Sequence, residues 1–257
     1  MIRLKTPEDF EKMRHAGSLL ARILTSLEKM VVAGISTEDL DDEALRLMEE
    51  CGAEPVLLGY HPEFAPRPYP ASICTSVNDI IVHGVPNESP IILKEGDIIS
   101  IDVSLAYEDM VVDSARTVAV GEIDALSKKL IAVTKEARDV GVRAAQLGNT
   151  IGDIGHAIES FVRPHGFSIV EELCGHGVGF AVHEDPFVPN FGRPGEGEQI
   201  VVGMALAIEP MLNAGKKQVV FDKKGGYIVR TKDGSRSAHF EHTVIITEKG
   251  PEVVTSY

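Results

Sequence analysis

A chain of 257 residues with a formal net charge of −14 offers no broad basic surface for nucleic acid, and its 44% hydrophobic content suffices for one large domain or two small ones. No apolar run of about eighteen residues occurs, and Met1-Ile-Arg-Leu-Lys-Thr-Pro7 lacks the apolar block of a signal peptide, so neither a membrane span nor secretion is expected. Three scattered cysteines (Cys51, Cys74, Cys174) cannot form a disulfide framework or a Cys-based zinc site, which points to a reducing, cytoplasmic compartment.

Thr6-Pro7-Glu8-Asp9 predicts a helix start, with a capping threonine, proline at the first helical position and acids in the first turn. The helix is expected to reach about Val32, with Gly34 ending it. Ser36 to Asp39 caps a second helix that runs to about Cys51 and stops at Gly52. Pro62 to Pro70 holds four prolines and reads as a surface loop. From Asp97 to Leu105 the residues alternate, Ile99, Ile101, Val103 and Leu105 against Ser100, Asp102 and Ser104, as in a strand. A second arm runs from about Met110 to Val120, and the turn falls around Tyr107-Glu108-Asp109. A turn centred near residues 107 and 108 would set Asp102 opposite Asp113, with Cβ atoms about 4.5–5.5 Å apart. A long helix is predicted from Ala125 to Leu147, ending at Gly148. Thr150 caps a shorter one that ends before Gly166. Strands are expected at Ile200–Glu209, Tyr227–Thr231 and Ala238–Thr247. Gly34 to Gly52 and Gly148 to Gly166 each span 18 residues, with Asp39 and Asp153 five residues after the leading glycine. This predicts a single α/β domain of two related halves, about 1–120 and 121–257.

Two opposed aspartates repel unless a proton or a divalent metal lies between them. Three other stretches set polar groups in apolar or glycine-rich surroundings. Cys174–Gly179 places His176 between glycines, Ala207–Pro210 ends a hydrophobic strand on Glu209, and His239–Ile245 holds Glu241 inside a strand. Buried carboxylates cost several kcal/mol each unless paired or metal-bound. Arg116 is the one basic side chain inside these motifs, so two divalent ions are the simplest neutralising partners. A dinuclear site of this kind suits metal-assisted hydrolysis.

With these motifs in hand, the chain resembles the methionine aminopeptidases of the short type I form, in peptidase family M24. The resemblance covers nearly the whole chain. It rests on Ser76–Pro86, Gly96–Asp102, Asp113–Thr117, Cys174–Gly179, His183–Pro186, Ile208–Met211 with Asn213–Lys216, and Phe240–Thr243. The resemblance implies the pita-bread fold, two pseudo-symmetric α/β halves around a curved antiparallel sheet. It implies metal ligands at Asp102, Asp113, His176, Glu209 and Glu241. Glu209 would be the proton shuttle, while His83 and His183 would contact the scissile bond. Tyr60, Tyr69, Cys74, Val182 and Tyr227 would form the methionine pocket. The ions implied are two of Co²⁺, Mn²⁺, Fe²⁺ or Zn²⁺, with a monovalent cation near Asn78 and Ser237.

The implied substrate is the N-terminus of a nascent protein or peptide, with a small second residue preferred. Contact with the ribosome would be transient, and a monomer is expected. The chain departs from its relatives in a longer segment between Tyr60 and Tyr69, in Val182 where bulkier groups are common, and in His239 where glutamine is frequent. Two rivals remain. One is a proline-specific peptidase of the same fold, a prolidase or aminopeptidase P, whose chains usually carry a further N-terminal domain. The other is a non-catalytic binding module, which would lose ligands that are all present here.

Overall fold

The helix boundaries follow from the caps written into the sequence. A computed structural model describes residues 1–63, 65–222 and 226–256. Helix α1 spans Pro7–Met30. Asp9 N donates to the Thr6 hydroxyl at 3.2 Å, and Thr6 N donates back to the Asp9 carboxylate at 2.8 Å. Helix α2 spans Thr37–Cys51 with the same reciprocal cap between Ser36 and Asp39, and Gly52 closes it at a positive φ that a side chain would resist. Helices α3 and α4 span Ala125–Ala144 and Ile151–Val162. Both α1 and α3 stop short of the predicted ends. For α3 the cause is visible: the Asn149 amide donates to Ala144 O at 2.9 Å and occupies a carbonyl of the last turn.

Strand pairing is antiparallel throughout the described residues. The long hairpin, Ile98–Tyr107 with Met110–Ala119, carries Cys74–Val77 and Glu54–Pro55 on its other edge. A five-stranded sheet runs in the order Gly250–Val253, His242–Thr247, Ala205–Ile208, Gly175–Gly177, Glu184–Val188. Among the described residues, two three-stranded sheets complete the set, one joining Ser237–His239, Met211–Asn213 and Ser168–Ile169, the other Val219–Phe221, Val229–Thr231 and Ile80–Val82.

The apolar face of α1, with Met13, Leu20, Leu24 and Leu27 all fully buried, packs against one face of the hairpin, with α2 beside it. Each such leucine contributes about 1.5–3 kcal/mol by leaving water. Helices α3 and α4 pack on the five-stranded sheet around Leu130, Ile154, Leu206 and Val244. No described helix is long and apolar enough to cross a membrane.

Two predicted strands are broken, and both breaks matter. Ile200–Glu209 contracts to Ala205–Ile208, because the chain turns at Gly203 with φ +98°. Ala238–Thr247 divides into Ser237–His239 and His242–Thr247. His242 pairs with Ile208 in one sheet and His239 pairs with Met211 in another, so Glu209-Pro210 and Phe240-Glu241 face each other where both strands change sheet. Glu241 therefore lies between strands rather than inside one. Proline at 210, lacking an N–H, cannot continue a ladder there.

Candidate metal centre and substrate pocket

The hairpin supplies two carboxylates, but not face to face. Its turn consists of Glu108 and Asp109, with φ of +50° and +64°, and the register pairs Asp102 with Ala115 and Ser104 with Asp113. A turn one position earlier would force bulky Tyr107 to a positive φ, which aspartate tolerates better. The correction slides the pairing by two residues, so Asp102 and Asp113 become diagonal neighbours on the same face. Asp113 is anchored on both sides. Ser104 Oγ donates to its carboxylate at 2.8 Å, and the Thr243 hydroxyl accepts from Asp113 N and donates to Asp113 O, each at 2.8 Å.

His176 enters from the five-stranded sheet, and the glycines beside it are a packing requirement. A Cβ at Gly175 would lie 2.2 Å from Ala207 O, and one at Gly177 2.2 Å from Asp185 O. The imidazole Nδ1 lies 3.0 Å from Gly177 O. Donation to that carbonyl leaves Nε2 unprotonated, the form that binds a metal. Nε2 lies 3.4 Å from Glu209 Oε1 and 4.0 Å from Asp113 Oδ2.

Donor atoms of Asp113, His176 and Glu241 all fall within 4.8 Å of one another. Asp102 Oδ1 and Glu241 Oε1 are buried without a hydrogen-bond partner among the described residues. Oxygen and nitrogen donors about 2.0–2.6 Å from a shared ion are spaced in this way. Orphaned buried carboxylate oxygens are what such an ion would satisfy, so the donor set fits divalent cations.

Electrostatics points the same way. Burial lifts Asp113 to about 7 and Glu209 to about 8. Asp102 and Glu241 are also pushed well above the carboxylate range, by burial first and then by their carboxylate neighbours. Burial lowers His176 to about 3 and His239 to about 4.

These shifts give a signed prediction for metal-free protein. The folded state keeps protons on Asp113 and Glu209 up to about pH 7 and 8, whereas the unfolded chain releases them near 4. Stability therefore falls as pH rises through that range. The buried histidines act in the opposite direction, but only below their ordinary value of 6.5. In chelator, the melting temperature should drop by several °C between about pH 6.5 and 8.5, and divalent ions should flatten the curve. A flat or rising metal-free curve over that interval contradicts this account.

The four carboxylates and His176 line one cavity. Tyr60, Tyr69, Cys74, Val182 and Tyr227, the residues predicted for the pocket, line the same space, as do His83 and His183. His83 has φ +59°, an uncommon conformation for a side-chain-bearing residue. Burial lowers it to about 4, against a hydrogen bond to the Tyr227 backbone that favours the charged form. His183 is open to the cavity, yet the protein packed around it still lowers its basicity. Asn78 and Ser237 stand together, with Ser237 N donating to Asn78 O at 2.8 Å.

The segment 62–70 is only partly the expected surface loop. Ala65 and Tyr69 are buried, and Pro62 reaches the cavity. Tyr69 OH donates to Ile73 O and Gly84 O, which ties the segment to residues flanking the strands Cys74–Val77 and Ile80–Val82. Phe64 lies outside the described residues. Leu57 and Ser104 also line the cavity and were not singled out from sequence. Ser104 was legible as a member of the polar hairpin face, whereas Leu57 carried no signal. His239, seen in sequence only as a departure, stands with Nε2 3.2 Å from Glu209 Oε2, off the line of a hydrogen bond.

The model of metallopeptidase family M24 matches residues 11–248. Methionine aminopeptidase of Clostridium acetobutylicum is 43% identical over 255 residues, spanning 99% of both chains. The crystal structure of methionine aminopeptidase from Thermotoga maritima superposes with a TM-score of 0.94 at 40% identity, covering 100% of each chain. Prolidase from Pyrococcus furiosus superposes at 0.72 with 22% identity, covering 99% of this chain and 65% of its own, which shows a common fold. The antiparallel α/β architecture is the pita-bread fold these proteins share. A buried carboxylate–imidazole cluster on that fold, matched along almost all of its length, has one assignment: the chain belongs to metallopeptidase family M24.

Proposed function

We propose that this protein removes the initiator methionine from peptides and nascent chains by metal-assisted hydrolysis of the first peptide bond. The carrying observation is adjacency. An apolar recess walled by Tyr69, Cys74, Val182 and Tyr227 opens directly onto the carboxylate cluster. A thioether side chain fits such a wall, and Cys74 offers it a soft, polarisable neighbour. Asp102, Asp113, His176, Glu209 and Glu241 would hold two divalent ions, and the oxygen-rich donor set with one imidazole suits Mn²⁺, Fe²⁺, Co²⁺ or Zn²⁺. Bound there, the ions would neutralise the carboxylates, polarise the substrate carbonyl and acidify water.

The side chains do the rest. The recess fixes the methionine, and the carboxylates favour its ammonium group. His183 donates to the carbonyl oxygen as negative charge develops there. Neutral His83 donates toward the departing amide nitrogen, and Glu209 takes and returns the proton. The hairpin from residues 1–120 and the His176, Glu209 and Glu241 segments from 121–257 meet here, which we read as two related halves of one domain. The same reading places a monomer in the cytoplasm, meeting chains as they leave the ribosome.

The test is cleavage of Met-Ala-Ser by chelated protein after anaerobic addition of each divalent ion, with Xaa-Pro peptides alongside. Metal-dependent release of methionine, with Xaa-Pro left intact, is expected. Cleavage of Xaa-Pro alone would move the assignment to the proline-specific peptidases, and cleavage of neither would point to a binding module.

A further inference from the structure

His183 is held from two directions. Beneath it, Glu184 draws its own loop into a ring, with Phe180 N and Ala181 N donating to Oε1 at 2.6 and 2.8 Å. Lys5 Nζ pins the other oxygen, Oε2, at 2.6 Å. These two side chains are 2% and 7% exposed, so the pair is shielded from solvent screening. Across the cavity, the Tyr60 hydroxyl lies 2.8 Å from His183 Nδ1, with ring centroids 5.5 Å apart. The Tyr60 backbone is also fixed. Its carbonyl accepts from Tyr69 N at 2.8 Å and Tyr227 OH at 3.3 Å, and its N–H donates to Leu57 O at 2.9 Å. A phenol aimed so firmly at one ring nitrogen does more than wall a pocket.

We propose that Tyr60 is a positioning residue: its hydroxyl donates to His183 Nδ1 and thereby holds the imidazole as the Nε2–H tautomer, with its remaining N–H available to the substrate carbonyl oxygen. A neutral imidazole has one donor and one acceptor nitrogen, and the hydrogen bond made by one sets the role of the other. The direction of this bond follows from the partners. Burial raises the Tyr60 phenol, so it keeps its proton and needs an acceptor. Among the described residues, Nδ1 is the acceptor it meets. The reverse polarity would leave Nε2 bare, and a bare nitrogen repels a developing oxyanion. The catalytic consequence rests on the role given to His183 above.

The experiment pairs Tyr60→Phe, which keeps the ring and removes the hydroxyl, with His183→Ala. In ¹⁵N-histidine-labelled, metal-free protein, the His183 signals are identified among the nine histidines by their loss in His183→Ala. Nε2 should be protonated and Nδ1 an acceptor in the wild type, and Tyr60→Phe should mix the tautomers. In metal-loaded enzyme acting on Met-Ala-Ser, Tyr60→Phe should lower kcat about tenfold with KM nearly unchanged, a fraction of the roughly hundredfold loss expected of His183→Ala. In the His183→Ala background, Tyr60→Phe should have no further effect. A protonated Nδ1 in the wild type, a Tyr60→Phe spectrum and kcat equal to wild type, or a rise confined to KM would each overturn the proposal. Wild-type protein that releases no methionine with any divalent ion would instead defeat the functional reading, and the tautomer would still be decided by the spectrum.

Discussion

Glu209→Gln should retain the fold, melt at or above wild type in chelator at neutral pH, and lose about 10³-fold in kcat on Met-Ala-Ser, in the middle of the range for a general acid–base group. The stability half follows from the metal-free state. Burial lifts Glu209 to about 8, so at neutral pH the folded state holds its proton while the unfolded chain releases it near 4, and an amide of the same shape removes that cost. The catalytic half follows from its placement. One carboxylate oxygen faces His176 and the other faces His239, at the point where the strand Ala205–Ile208 ends against the cavity. An amide keeps an oxygen for coordination but cannot accept and return a proton. Melting curves in chelator and kcat at saturating metal are the two measurements. Turnover near wild type would remove Glu209 from the proton path, and a large fall in metal-free melting temperature would show that its charge is structural.

Much of this site could be read from the sequence, and the reasons are local. Thr6, Ser36 and Thr150 announce helices because capping needs only a side chain and an N–H three residues away. The hairpin face was legible because a strand alternates with period two, and an error of two in the register leaves every side chain on its predicted face. The details that failed depend on distant partners. Whether the turn centres on Tyr107-Glu108 or Glu108-Asp109 is settled by which residue accepts a positive φ. The breaks at Glu209-Pro210 and Phe240-Glu241 were hidden because each strand changes its pairing partner there, and pairing is non-local. The segment 62–70 looked like surface because prolines mark irregular chain. Irregular chain can still be packed, and Tyr69 OH finds its acceptors on residues 73 and 84, which the local pattern does not reveal.

The sharpest consequence of burying four carboxylates together has two opposite signs. Glu241→Gln should make the metal-free protein more stable than wild type at about pH 8, by several °C, while abolishing metal-dependent activity. Glu241 is 2% exposed, one of its oxygens has no hydrogen-bond partner among the described residues, and burial with Asp113, Glu209 and Asp102 nearby pushes its carboxyl far above the ordinary range. In the unfolded chain at that pH the group ionises freely, so the native state is penalised for holding it. A neutral amide removes the penalty. The same change takes a charge from the donor cluster of Asp113, His176 and Glu241, so the gain from metal binding shrinks. A ligand present at about a hundred times its dissociation constant stabilises by about 2.7 kcal/mol, and weakening the site removes that increment. Wild type should therefore melt lower than the variant in chelator and higher than it in excess Mn²⁺, so the two proteins exchange rank when metal is added. A conventional stabilising contact cannot produce that crossing, since its loss lowers both curves. A variant that is less stable in chelator, or that keeps the full metal-induced shift, would show that Glu241 is held by the fold rather than by the ions.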